Sequence, residues 1–387
     1  MRAIVIVLDG VGAGAAPDAA LYGDAGADTL GHVAEAAGGL KLPALGRLGL
    51  GNIMEIKGVP PVAAPAASFG RMRELSAGKD TITGHWEMMG ILNETPFPTY
   101  PGGFPPRVIS EFERRTGRKV LGNRAASGTV IIEQLGAEHM RTGSPIVYTS
   151  ADSVFQIAAH ADVIPVEGLY RMCETAREML VSPDNVCRVI ARPFEGAPGN
   201  FRRISAKRKD FPLPPPEEAV VDILASKGVP VFSVGKVAEM FGMRGFTDGM
   251  IKTGGNAQGM EEIVNLLKRQ ARGLVFANLN DFDTLFGHRN DPEGFARALE
   301  GFDEWFNGFL PILGSEDFLF ITADHGNDPT TPGTDHSREL VPLLFSGNFS
   351  GKGKAGRDLG LRAGFMDLGA TVAEIFGLRG PRGKSFL

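Results

Sequence analysis

Carboxylates recur at four places in this chain, three of them with an imidazole beside the carboxylate. Asp9 ends an apolar run at residues 3–8, and Asp283 and His288 bracket a short turn. Asp324 and His325 follow the apolar run 318–321, and His336 stands beside Asp335 after Thr330-Thr331-Pro332-Gly333. Oxygen and imidazole ligands without thiolate suit Mn²⁺, Zn²⁺ or Fe²⁺. Six such ligands are too many for one ion and fit two. Two ions roughly 3.5–4 Å apart can grip a phosphate and stabilise both the attacking and the leaving oxygen. One Asp-His pair alone would read as a capped turn or a surface hydrogen bond. Its recurrence just past apolar runs is what favours a two-metal centre.

The segment Ser76-Ala77-Gly78-Lys79-Asp80-Thr81-Ile82-Thr83-Gly84-His85-Trp86-Glu87 offers what such a centre would activate. A threonine hydroxyl is a weak nucleophile until metal coordination or a base lowers its pKa. Asp80 and Thr81 could equally cap a helix, and this loop alone leaves both readings open. A third signal is basic. Arg188, Arg192, Arg202, Arg203, Lys207, Arg208 and Lys209 face a single acid, Glu195, in between. Such a cluster is either a solvated face or a clamp for a phosphate or sugar phosphate. Lys236, after an apolar run and a glycine, is a further candidate. Cys173 and Cys187 lie in apolar surroundings and read as core. His32, His139 and His160 show no partner pattern and read as structural.

Elements that could position these groups are legible. Apolar runs at 3–8, 145–148, 186–191, 229–234, 274–277 and 318–321 each end in polar or glycine residues. Continuous apolar runs of that length indicate strands buried on both faces. Helical patterns at 216–227, 256–272 and 291–313 alternate with them. The expectation is an α/β fold, with a mostly parallel sheet flanked by helices and ligands bound beyond the carboxyl ends of its strands. Proline clusters at 96–106 and 211–216 flank a stretch of different texture. They suggest a smaller α/β cap domain, residues 96–214, inserted into a core of 1–95 and 215–387.

Gly 52 and Pro 26 together make about a fifth of the 387 residues, against roughly 12 % in ordinary usage. No Gly-x-y period accompanies them, so collagen is excluded, and 43 % hydrophobic residues can build a core. A net charge of −5 argues against a general nucleic-acid binder. Two cysteines cannot make a disulfide framework. No run approaches the roughly 20 apolar residues a spanning helix needs, and no cleavage site follows residues 3–8. A soluble cytoplasmic protein is expected, with small-molecule substrates and no protein partner implied.

These residues resemble the prokaryotic-type phosphopentomutase family, within the alkaline phosphatase superfamily of metalloenzymes. The likeness runs nearly end to end. It includes Asp28-Thr29-Leu30-Gly31-His32, Gly78-Lys79-Asp80-Thr81, Tyr148-Thr149-Ser150-Ala151-Asp152, Arg188-Val189-Ile190-Ala191-Arg192-Pro193-Phe194, Thr322-Ala323-Asp324-His325-Gly326-Asn327-Asp328 and Pro332-Gly333-Thr334-Asp335-His336. The resemblance implies an alkaline-phosphatase-like core carrying the inserted cap. It implies interconversion of ribose 1-phosphate and ribose 5-phosphate, and of the deoxy sugars, with Thr81 as phosphorylated nucleophile. Asp9, Asp324 and His325, with the Thr81 oxygen, would hold one Mn²⁺; Asp283, His288 and His336 would hold the second. Ser150, Asp152, Arg188, Arg203, Arg208 and Lys236 would contact substrate. Glucose 1,6-bisphosphate or a pentose 1,5-bisphosphate would act as activator. Lys209, where the family commonly has His, and Asn290, where it has Arg, depart from the pattern.

Overall fold

The computed structural model describes residues 1–150, 152–269, 271–347 and 356–387. Ala151, the middle of the Ser150-Ala151-Asp152 motif, lies outside the described residues. The chain divides into two compact units, Met1–Thr95 with Pro215–Leu387, and Pro96–Pro214. In chain order the strands are β1 (Arg2–Leu8), β2 (Ser68–Met72), β3 (Leu121–Ala125), β4 (Ile146–Thr149), β5 (Val154–His160), β6 (Arg188–Glu195) and β7 (Arg202–Arg203). They continue as β8 (Lys209–Pro212), β9 (Val231–Val234), β10 (Met250–Ile251), β11 (Gly273–Leu279), β12 (Asp317–Thr322), β13 (Val341–Gly347) and β14 (Asp358–Arg362).

The first unit is built on an eight-stranded sheet in the order β10-β9-β11-β1-β12-β13-β2-β14. Only β13 runs against the others. Six residues of β1 after Arg2 are buried, as a strand covered on both faces requires. Its parallel neighbours are β11 and β12, with Leu8 opposite Leu279 and Val7 opposite Thr322. Three adjacent strands therefore end side by side. The residues just beyond them (Asp9, Asp283, Asp324 and His325) emerge along one edge of the sheet. This α/β core has the mostly parallel sheet its apolar runs demand.

All six of those runs fall in strands. Helix ends differ from the sequence pattern for local reasons. The helix expected at 216–227 is Val220–Ser226. Three consecutive prolines hold the preceding chain extended, and the Asp222 carboxylate accepts from the Ala219 N–H at 2.9 Å to start the helix there. The long helix expected at 291–313 runs Pro292–Phe309 and tightens to a 3₁₀ turn at Leu310–Ile312, where Pro311 removes a donor.

The second unit carries a six-stranded sheet, β3-β4-β5-β6-β7, with β8 also on β6. Residues alternate between two apolar layers. Val147, Phe155, Ile157 and Val189 pack under the helices Pro106–Thr116 and Val166–Met179, where Cys173 is fully buried. Ile146, Tyr148, Ala158 and Phe194 face the helix Gly128–Thr142. His139 and His160 serve this packing: the His160 N–H donates to His139 Nε2 at 2.8 Å.

Candidate metal centre and nucleophile

Two clusters of ligand atoms form at the strand ends of the first unit. Asp9, Asp324 and His325 make one, and Asp283, His288 and His336 the other; within each, the donor atoms lie within 4.8 Å of one another. His325 Nε2 is 3.3 Å from Asp9 Oδ1 and 3.4 Å from Asp324 Oδ2. His288 Nε2 and His336 Nε2 stand 3.2 and 3.3 Å from the two oxygens of Asp283. The clusters adjoin, since the His325 and His336 rings stack with centroids 3.7 Å apart.

Local backbone makes this possible. Asp283 sits in a π-helical turn, Phe282–Phe286, that leads directly into a 3₁₀ turn at Gly287–Arg289 carrying His288. Such irregular turns concentrate at functional sites. Gly10 has φ +77°, and a Cβ there would meet Asn327 Cβ at 3.1 Å and Asp283 Cβ at 3.4 Å. A side chain at Gly10 would push the clusters apart.

The donor set fits divalent cations. Among the described residues, Asp9 Oδ1 and Asp324 Oδ2 are buried without a hydrogen-bond partner. His288 Nδ1–H donates to Thr334 O at 2.5 Å, His325 Nδ1–H to Gly326 O at 3.0 Å and His336 Nδ1–H to Lys79 O at 2.9 Å. With Nδ1–H so engaged, loss of the other proton leaves each ring with its Nε2 lone pair turned to the cluster, the arrangement found behind metal-ligating histidines. Asn278 Nδ2 steadies Asp9 at 2.7 Å, and Asn327 Nδ2 steadies Asp283 at 2.7 Å. The field asks for positive charge. Burial, then the charges of Asp324 and Asp283, push the Asp9 carboxyl up to about 6. Burial would lower His288, but Asp283 outweighs it and raises the imidazole to about 8.

Thr81 opens the helix Thr81–Met88, and its Oγ1 is 3.1 Å from His325 Nε2. The cap and nucleophile readings are both accommodated, on different residues. Asp80 Oδ1 accepts from the Ile82 and Thr83 N–H groups, each at 3.1 Å, which leaves the Thr81 hydroxyl turned to the ligands. The helix approaches closely because of Gly84, where a Cβ would lie 2.2 Å from Asp324 O. Arg338, buried, holds the preceding loop through Glu74 at 2.7 Å, Ser76 O at 2.8 Å and Gly78 O at 2.7 Å.

Sequence reasoning missed Asn278, Asn327, His85 and Arg338. His85 is fully buried, with Nδ1 2.8 Å from Thr81 O and 3.3 Å from Asp324 Oδ2. Asn278 and Asn327 had a signal, Asn278 directly after the apolar run 274–277 and Asn327 two residues after His325. Arg338 had none, because a lone arginine in sequence does not announce burial.

The candidate substrate contacts divide between the units. In the second, Arg188 lies 4.0 Å from Asp152 and 3.7 Å from Asp210, and Arg208 pairs with Asp210 at 2.8 Å. Arg203 is exposed on β7, and Ser150 is half-buried beyond β4. Lys236 belongs to the first unit, exposed at the start of the short helix Val237–Met240.

Known proteins share this sequence and fold. A model described as the metalloenzyme superfamily matches residues 1–380. A phosphopentomutase of Anaeromyxobacter sp. (strain K) is 58 % identical over 387 residues, covering 100 % of this chain and 98 % of that protein. One of Caldanaerobacter subterraneus subsp. tengcongensis is 55 % identical over 388 residues, covering 100 % and 97 %. Among solved structures, phosphoglycerate mutase of Leishmania mexicana matches with a TM-score of 0.50 at 13 % identity, over 99 % of this chain and 97 % of that one. That likeness concerns the fold alone.

Proposed function

We propose a mechanism from one premise: the chain belongs to the phosphopentomutase family of the metalloenzyme superfamily, and so is an isomerase acting on phosphorylated pentoses. Thr81 carries a phosphoryl group and donates it to the free hydroxyl of ribose 5-phosphate or ribose 1-phosphate, or of the deoxy sugars. The Thr81 ester bond breaks as the new ester forms, giving a pentose 1,5-bisphosphate. The other phosphate of that intermediate then returns to Thr81, which completes the isomerisation. The observation that carries this reading is a threonine hydroxyl 3.1 Å from His325 Nε2, beside six ligands suited to two divalent cations.

Asp9, Asp324 and His325 would hold one ion and Asp283, His288 and His336 the other, Mn²⁺ on the family's account. When bound, the ions neutralise charge on the transferring phosphoryl group, where electrostatic stabilisation dominates. The chain's own groups do the positioning. Asp80 and Arg338 fix the loop that presents Thr81, and the carbonyls behind His288, His325 and His336 fix each ring. Asp152, Ser150, Arg188, Arg203, Arg208 and Lys236 bind the sugar phosphate, with arginine suited to a phosphate fork. Residues 96–214 act as a substrate-binding cap. Glucose 1,6-bisphosphate or a pentose 1,5-bisphosphate phosphorylates Thr81 to start the cycle. The reaction links nucleoside breakdown to pentose phosphate metabolism in the cytoplasm, a setting consistent with the buried thiol of Cys173.

The test supplies Mn²⁺-loaded protein with ribose 5-phosphate and a trace of glucose 1,6-bisphosphate, and follows ribose 1-phosphate and free phosphate together. Ribose 1-phosphate should accumulate to equilibrium with little phosphate released. Phosphate release without isomerisation would overturn the mutase reading in favour of a phosphatase.

A further inference from the structure

One buried phenol in the second unit lacks a partner among the described residues. Tyr148, on β4, is 1 % exposed, and among the described residues its Oη has no hydrogen-bond partner. Native interiors rarely tolerate that without a reason. The hydroxyl points to the start of the helix Gly128–Thr142, where a Cβ on Gly128 would come within 2.6 Å of it. This helix has 15 residues, and Ser127 provides no side-chain cap. Its first N–H groups and the positive end of its dipole are therefore turned toward the same place as the phenol.

The sheet adds charge there. Tyr148 is paired with Gln156 on β5, and Ala158, two residues on, with Arg192 on β6. Arg192 Nε donates to Gln156 Oε1 at 3.1 Å, which ties the guanidinium to the same face as the phenol. The neighbouring carboxylate, Asp210, is engaged by Arg208 and Arg188. Among the described residues no ion pair reaches Arg192 or Arg203. Burial, then the like charges of Arg208 and Arg203, holds the Arg192 guanidinium below its ordinary value. Burial pushes the Tyr148 phenol up, so it keeps its proton as a donor. A hydrogen-bond donor, a helix N-terminus and clustered guanidiniums are complementary to one kind of ligand, a compact oxyanion.

We propose that Tyr148, Arg192 and the N-terminus of the Gly128–Thr142 helix form a phosphate-monoester subsite, in which Tyr148 Oη donates to a phosphate oxygen. Arg203 and Arg208, assigned above to substrate, supply neighbouring charge; the phenol, Arg192 and the helix end are additional. The proposal rests on and deepens the mutase reading, because the non-reacting phosphate of a pentose phosphate has this chemistry. Inorganic phosphate shares it.

The deciding variant is Tyr148→Phe, which deletes an oxygen that no described residue bonds. The Mn²⁺-loaded full chain, wild type and variant, is titrated calorimetrically with inorganic phosphate and, separately, with ribose 5-phosphate. Any phosphate taken up by the metal centre is common to both proteins. Tyr148→Phe should weaken one binding event about tenfold, the scale of a hydrogen bond to a charged group, while its ligand-free Tm is unchanged or higher. Weakening with both ligands identifies the phosphate group alone as what is recognised. Weakening with ribose 5-phosphate only identifies the sugar phosphate. Arg192→Gln should weaken the same event. In turnover, Tyr148→Phe should raise KM for ribose 5-phosphate more than it lowers kcat. Equal binding by wild type and variant, with a raised Tm, would overturn the subsite and leave Tyr148 a merely unsatisfied core hydroxyl. A chain that forms no ribose 1-phosphate yet still loses binding on Tyr148→Phe would overturn the mutase reading and keep the subsite.

Discussion

The two charged centres of this molecule are built in opposite ways. In the first unit, His288, His325 and His336 each have Nδ1 tied to a backbone carbonyl, and Asp9 and Asp283 each accept from a buried asparagine. In the second unit, Arg203 and Arg208 are exposed, and the ion pairs of Arg188 stretch to 3.7 and 4.0 Å. Coordination tolerates little error in ligand position, so that geometry is fixed by the fold. A phosphate can be gathered by long guanidiniums that adjust to it. Substitutions should therefore be catastrophic at the first centre and graded at the second.

The largest expected effect is at Thr81. Thr81→Ala should abolish phosphoenzyme labelling by radiolabelled glucose 1,6-bisphosphate and lower kcat by at least about four orders of magnitude, the scale of deleting a nucleophile. Thr81→Ser should keep measurable labelling. Persistent labelling in Thr81→Ala would move the nucleophile elsewhere and dissolve the contrast.

Next comes the support beneath it. Arg338 and Glu74 are both buried and paired at 2.7 Å. Removing one member of such a pair leaves an uncompensated buried charge and costs about 3–5 kcal/mol. Arg338→Met should lose that much stability in urea unfolding. By contrast, Arg203→Gln should stay within about 0.5 kcal/mol of wild type, as surface substitutions do, while raising KM severalfold. Equal stability losses at both positions would show that the two centres are fixed alike.

The same contrast explains what was legible in the sequence. Asp9, Asp324 and His325 could be found because they sit directly beyond apolar runs, and parallel strands that end together carry their next residues to one edge. The irregular turn of Phe282–Phe286 has no propensity signature, yet Asp283 and His288 were found through their chemistry. β5, with all seven residues buried, went unread because Gln156 and His160 interrupt its apolar pattern. Arg338 gave no signal, and the two asparagines, though beside singled-out residues, were given no role, for a common reason. Their roles come from partners far away in sequence, such as Glu74 for Arg338, and no local pattern encodes a tertiary hydrogen bond. The arginines of 188–209 were visible as a charge run, but only the sheet register separates Arg192, which is tied to Gln156, from its exposed neighbours.

Ionic strength should separate the two centres further. Exposed charges are screened once the Debye length falls from about 10 Å at 0.1 M to a few ångströms near 1 M. Raising salt across that range should increase KM for ribose 5-phosphate severalfold and leave kcat within about twofold. A kcat that falls in parallel with rising KM would mean that salt reaches the buried centre as well.

The smallest effect tests whether the contrast belongs to the units or to burial. His32, in the first unit, bonds Asp328 at 2.6 Å, and its side chain is 44 % exposed. Burial alone would lower its pKa, but the hydrogen bond and charge of Asp328 prevail and raise it. Folding therefore favours the protonated ring. The pair's contribution is fully present below the ordinary histidine value of about 6.5 and is lost as pH rises through the higher folded value. At this exposure the contribution should be below about 1 kcal/mol. The stability difference between wild type and His32→Gln, measured by urea unfolding, should be largest near pH 6 and shrink toward pH 9. It should also shrink with added salt, as at the arginines of the second unit. A difference that persists at pH 9 and in high salt would mean that Asp328 needs only a neutral donor from His32. Dependence on both would show that water access, rather than membership of either unit, decides which charges in this chain are fixed and which adapt.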